Sequence, residues 1–111
     1  MIAAPGFGMA FTPESLEIVR IPVQLWRGEM DQVVPSPFHV EPIRDGLGRP
    51  ADYRVEPMAG HLDFLEACVP PSQLPPPLCV SAPGFDRAAF KARFSAEVVA
   101  FFNTAFAPDG V

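Results

Sequence analysis

Ile21-Pro22-Val23-Gln24-Leu25-Trp26-Arg27-Gly28-Glu29-Met30-Asp31 is the stretch on which the fold depends. Val23 and Leu25 point one way and Gln24 and Trp26 the other, the two-residue period of a strand. Pro22 is tolerated at the start of such a strand. Gly28 ends it, and Glu29-Met30-Asp31 make the turn beyond. A second strand is predicted at Tyr53-Arg54-Val55-Glu56. Its strict alternation, followed by Pro57, suits a position near a sheet edge. A helix is predicted between the two, over about Pro37 to Leu47, although Pro42 interrupts its pattern. Gly46 and Gly48 would stop it. Strand, helix, strand at this spacing is a βαβ unit and implies a parallel sheet, so the class is α/β.

Outward from this unit the chain stays consistent with that class. Ile2-Ala3-Ala4 before Pro5-Gly6 reads as the end of another strand. Phe7 to Phe11 is an apolar, glycine-containing loop. Thr12-Pro13-Glu14-Ser15-Leu16 fits a short helical turn with Thr12 as N-cap and Pro13 at the first helical position. Leu62 to Ala67 is predicted to form a helical turn. The last helix has the strongest local signals. Asp86 is a good N-cap, and Phe85 and Phe90 stand at hydrophobic-staple positions around it. Phe90, Phe94, Val98, Phe101 or Phe102, Ala105 and Phe106 then recur at helical spacing, a stripe that needs a sheet to pack on. Trp26 and Met58 are expected to pack in or beside that sheet.

Length and composition bound the function. The chain of 111 residues is enough for one domain. Hydrophobic residues make up 49%, so a core can form, but charged residues are only 19%, few for the large relative surface of a small free-standing domain. The apolar surface is expected to cover something. The net charge is −5 and Lys91 is the single lysine, which disfavours phosphate backbones and hence nucleic acid. No apolar run approaches the roughly 20 residues of a membrane-spanning helix. Met1 to Gly6 lacks the basic region and apolar length of a signal peptide. Cys68 and Cys79 bracket a loop holding Pro70, Pro71, Pro75, Pro76 and Pro77. A disulfide between them would restrain a segment that cannot form regular structure, contributing about 3 kcal/mol; the alternative is two unpaired, buried thiols. A bridge would favour a periplasmic or secreted setting, and free thiols a cytoplasmic one.

Reactive groups in open parallel sheets gather in loops past the carboxyl ends of strands. Asp31 and His61 both stand there. A carboxylate bonded to one imidazole nitrogen fixes the tautomer and leaves the other nitrogen to accept a proton from a nucleophile. Taken singly, Asp31 reads as a turn acid bonding its own backbone and His61 as a loop or capping histidine. Their occurrence on successive strands, in this order, favours a paired acid and base. Glu29 is a rival acid, closer to the strand and expected to face solvent. Asp63 is a second rival, too near His61 in sequence to reach around its ring. His39 is expected at the surface. A nucleophile is lacking: Ser15, Ser36, Ser72, Ser81 and Ser95 have no flanking glycines of the G-x-S-x-G type, and Cys68 and Cys79 have none either. Two histidines without paired ligand spacing argue against zinc, and no cofactor is expected.

These residues resemble a known superfamily. Ile21 to Pro35 is similar to the acid-bearing strand and turn of the α/β-hydrolases, and Ala59-Gly60-His61-Leu62-Asp63-Phe64-Leu65 to their histidine loop. Pro83-Gly84-Phe85-Asp86-Arg87-Ala88-Ala89-Phe90 and the Phe-rich helix look most like bacterial predicted dienelactone hydrolases, relatives of the platelet-activating-factor acetylhydrolases. The resemblance spans nearly the whole chain. It implies that residues 1–111 are a single incomplete C-terminal segment of that fold, about three parallel strands with flanking helices and a long C-terminal helix. Met1 to Pro5 would be the sixth strand, Val23 to Arg27 the seventh and Tyr53 to Glu56 the eighth. Asp31 would be the triad acid and His61 the base. The nucleophile and oxyanion-hole amides of the family lie on earlier strands, so this segment is expected to be inactive alone. The complete protein would hydrolyse a small-molecule ester, lactone or thioester. The chain alone is expected to be poorly soluble, to oligomerise or to pair with a complementing chain, because a sheet edge is left open. Two other functions compete: a non-enzymatic binding or assembly module that retains the sheet, and a minimal enzyme in which Asp31 and His61 activate water, worth about 100- to 10,000-fold.

Overall fold

A computed structural model describes residues 1–70 and 73–108. Three strands, β1 (Ile2–Ala3), β2 (Gln24–Gly28) and β3 (Asp52–Glu56), form one parallel sheet in the order β1-β2-β3. Leu25 lies opposite Ile2 on one side and Tyr53 on the other, which makes β2 the central strand. The alternation along β2 divides the core in two. Leu25 faces α1 (Pro13–Glu17) and α2 (Val40–Gly46), and packs with Leu16, Val40 and Ile43. Trp26 faces α3 (Arg87–Ala105) and packs with Phe90 and Phe94. Helices therefore cover both faces of the sheet, as parallel strands require.

The local signals operate as expected at both clear helix starts. The Thr12 side chain accepts the Ser15 N–H at 3.2 Å, and Asp86 accepts the Ala89 N–H at 3.0 Å. Phe85 and Phe90 meet with ring centroids 5.7 Å apart. Other expectations are corrected. β2 begins at Gln24 rather than Ile21. α2 begins at Val40, which places Pro42 in the first turn, where a missing N–H breaks no intrahelical bond. The turn after β3 is a 3-10 turn over His61–Phe64, shorter than the helical turn expected to Ala67. The stripe on α3 is buried only in its first half: Phe90 and Phe94 lie in the core, whereas Phe102 and Phe106 stack on each other and Phe106 is 80% exposed. The five-residue strands end before they can cover the rest of a 19-residue helix. Met58 does not pack beside the sheet; it is exposed, with a left-handed φ of 64°. Cys68 and Cys79 are joined by a disulfide, with Cα atoms 5.5 Å apart.

A polar cluster fastens α2 to the sheet. Glu41 Oε1 accepts hydrogen bonds from Ser36 Oγ at 2.7 Å and Tyr53 Oη at 3.1 Å, and faces Arg27 Nε at 3.2 Å. Burial pushes the Glu41 carboxyl up, but the hydrogen bonds from Ser36, its own backbone N–H and Tyr53, with the Arg27 charge, outweigh it and hold it below the usual range. A depressed folded-state pKa stabilises at neutral pH. That contribution fades as pH falls through the ordinary glutamate range and is gone below the folded value. Glu41→Gln is therefore expected to lower the melting midpoint near neutrality and to have less effect in acid, as measured by circular-dichroism melts across a pH series.

Candidate functional site

The site forms where β2 and β3 end side by side. Glu29 N–H bonds Glu56 O at 2.9 Å and Met30 N–H bonds Ala59 O at 2.9 Å, so the turn after β2 is sewn to the turn after β3. Gly28 makes this approach possible. A Cβ there would sit 2.4 Å from the Ala59 carbonyl oxygen, a backbone atom that cannot swing aside. Glu29, expected to face solvent, is exposed but has a structural task. Its Oε2 accepts the Met58 N–H at 2.8 Å and holds that residue in its left-handed conformation.

Asp31 and His61 are brought together. His61 Nδ1 lies 2.8 Å from Asp31 Oδ2. The other carboxylate oxygen, Oδ1, accepts the N–H groups of Val33 and Val34, each at 2.9 Å. Asp31 is thus both a turn acid and a histidine partner, with one oxygen for each. Its side chain is 0% exposed and that of His61 29%, so the acid is fixed in the interior and the ring reaches the surface. A carboxylate can only accept, so Nδ1 carries the proton of this bond and Nε2 is left as an acceptor. Among the described residues nothing bonds Nε2. His61 lines a cleft of about 310 Å³ together with Met30, Val33, Met58, Leu62 and Val80, a mostly apolar surround for the ring.

The other candidates are occupied. Asp63 is buried and pairs with Arg87, Nε to Oδ1 3.0 Å, so it is not a second acid for His61. His39 is half-buried, and its Nδ1 accepts the Phe7 N–H at 2.9 Å, a backbone-capping role. Ser15 Oγ bonds Thr12 O, Ser36 bonds Glu41 and Ser81 bonds Asp63. Ser95 is exposed on α3, and Ser72 lies outside the described residues. Both cysteines are in the disulfide. Among the described residues no cluster of His, Cys, Asp or Glu could hold a metal ion, and no helix is long and apolar enough to cross a membrane. The reading by residue type missed Arg87. A signal was present: a cation at the first position of a helix opposes the helix dipole and calls for a nearby acid.

Gly28→Ala forces Cβ against Ala59 O and pushes the acid turn from the histidine turn. It is expected to cost about 1–3 kcal/mol, the range for an overpacked site, and to remove the low-field proton resonance of the His61–Asp31 bond. Urea denaturation and one-dimensional proton NMR read the two effects. Compared with protein-family models, with curated proteins and with solved structures, the chain matches none.

Proposed function

We propose that this chain supplies the acid, Asp31, and the general base, His61, of a serine ester or lactone hydrolase of the α/β-hydrolase type, nearest the dienelactone hydrolases. The observation that carries the reading is the 2.8 Å bond from a buried carboxylate to a partly exposed imidazole, at the carboxyl ends of adjacent parallel strands. In such a site Nε2 takes the proton of a serine hydroxyl as the oxygen attacks the ester carbonyl, and returns it to the leaving alkoxide. Asp31 holds the tautomer and stabilises the imidazolium formed between the two transfers. The serine belongs to a further segment of the protein or to a partner chain, since each described serine but the exposed Ser95 is already bonded elsewhere. Exposed Phe7, Met9 and Phe11, which follow β1 in the chain and belong to or flank the 3-10 turn beside α2, offer apolar surface on which such a segment would pack.

A fluorophosphonate probe tests the reading. The isolated chain is expected to stay unlabelled. Mixed or co-expressed with a segment bearing G-x-S-x-G, it is expected to form an assembly whose serine is labelled, and whose labelling falls with His61→Ala. Labelling that is indifferent to His61 would sink the proposal.

A further inference from the structure

We propose that Asp63 and Arg87 form a buried positioning pair that sets the orientation of the His61 ring. The name of the reaction rests on the hydrolase reading above; the positioning itself does not. Asp63 shares the 3-10 turn of His61, and its Oδ2 accepts the N–H of Gly60, the residue before the histidine, at 2.7 Å. Its Oδ1 accepts from Ser81 Oγ and from Arg87 Nε. Arg87 also donates to backbone, from Nη1 to Leu78 O at 2.7 Å and from Nη2 to Val80 O at 3.2 Å. The Arg87 and Asp63 side chains are 5% and 3% exposed. One pair therefore gathers the histidine turn, the segment beside Cys79 and the first residue of α3.

The energetics favour a geometric role over a purely stabilising one. Removing two charges from water costs several kcal/mol per ion, and apolar replacements of buried pairs are often as stable or more so. What an apolar pair cannot supply is direction. Arginine's planar fork fixes several acceptors at once. The pair also completes a second route from β2 to the site. Asp31 is held directly by its turn off β2. His61 is held through α3: Trp26 of β2 packs on Phe94, with centroids 4.9 Å apart, and on Phe90, and α3 carries Arg87 to Asp63. Acid and base are thus referenced to one strand by independent paths, which keeps their separation constant.

Proton NMR of the whole chain tests this. In the unmodified chain the His61 Nδ1 proton, bonded to Asp31, is expected at low field, and Asp31→Asn identifies it by its disappearance. Asp63→Asn and Arg87→Lys are expected to lose this resonance while far-UV circular dichroism still reports the fold. Gly60 amide exchange is expected to accelerate about tenfold or more, as for loss of a charge-assisted bond. Leu16→Ala, in the separate core cluster on the opposite face of the sheet, is the control for destabilisation alone and is expected to keep the resonance. Should Asp63→Asn fail to fold, Arg87→Lys and Ser81→Ala give the reading. Folded variants of the pair with an unchanged resonance overturn the proposal, as does loss of the resonance in Leu16→Ala to the same degree. Fluorophosphonate labelling plays no part in this outcome, so the failure of either proposal is distinguishable from failure of the other.

Discussion

On the hydrolase function proposed above, Asp31→Asn is expected to lower kcat of the complemented assembly by about 10⁴-fold, the scale of removing the carboxylate from an acid–base–nucleophile set. The cause is the tautomer. The substituted amide keeps a carbonyl oxygen for the Val33 and Val34 N–H groups, which Asp31 Oδ1 accepts at 2.9 Å each, so the turn has no reason to collapse. The amide NH₂ group then faces His61 Nδ1, where Asp31 Oδ2 stands at 2.8 Å. A donor there makes Nδ1 an acceptor and moves the ring proton to Nε2, the atom that in the proposed mechanism receives the serine's proton. The loss is expected in kcat with little change in KM, because Asp31 has a fully buried side chain and cannot touch substrate. Steady-state kinetics with a chromogenic ester, beside a melting curve, checks both parts. A loss confined to KM would contradict the assignment.

The largest stability effect is expected at Trp26. Trp26→Ala removes a side chain at 1% exposure that contacts Phe90 and Phe94 edge-on or tilted. Large-to-small changes of this kind cost about 3–5 kcal/mol. Gln24, 0% exposed, loses the indole N–H that its Oε1 accepts at 2.8 Å, which adds about 1–3 kcal/mol for an unpaired buried acceptor. Against a total of about 5–15 kcal/mol for a domain, Trp26→Ala is expected to leave a large unfolded fraction at 25 °C. Trp26→Phe separates the two terms. It keeps much of the ring packing but strands Gln24, so the smaller penalty alone should remain. The shift in urea midpoint across both variants measures this. A loss below about 1 kcal/mol for Trp26→Ala would place Trp26 outside the core.

Much of the architecture is legible because it rests on short-range rules. Alternation at Val23 to Trp26 assigns two faces, and the structure fills them from opposite sides with Leu16, Val40 and Ile43 against Phe90 and Phe94. The caps at Thr12 and Asp86 bond N–H groups three residues on, a distance that backbone geometry sets by itself. Pro42 misled because its effect depends on where the helix begins, and Val40 begins it once packed against Leu25. The outer half of the α3 stripe misled for a related reason. Phe102 and Phe106 have helical spacing, but spacing does not say how far the sheet extends beneath them.

At the site the division is sharper. The residue types and their places after strands were readable, so Asp31 and His61 could be named as a pair from the chain alone. That the turn acid would serve its own backbone and the histidine at once, one oxygen each, follows only from the folded turn. Asp63 and Arg87 stand 24 residues apart, and nothing local links them; their pairing exists because α3 docks on Trp26 and carries Arg87 to the histidine turn. The sequence by itself determined strand period, caps and chemical inventory, which are properties of neighbours along the chain. Tertiary structure decided which acid meets the histidine and which is taken by arginine, because burial leaves each charged group only the partners that packing puts within hydrogen-bond reach.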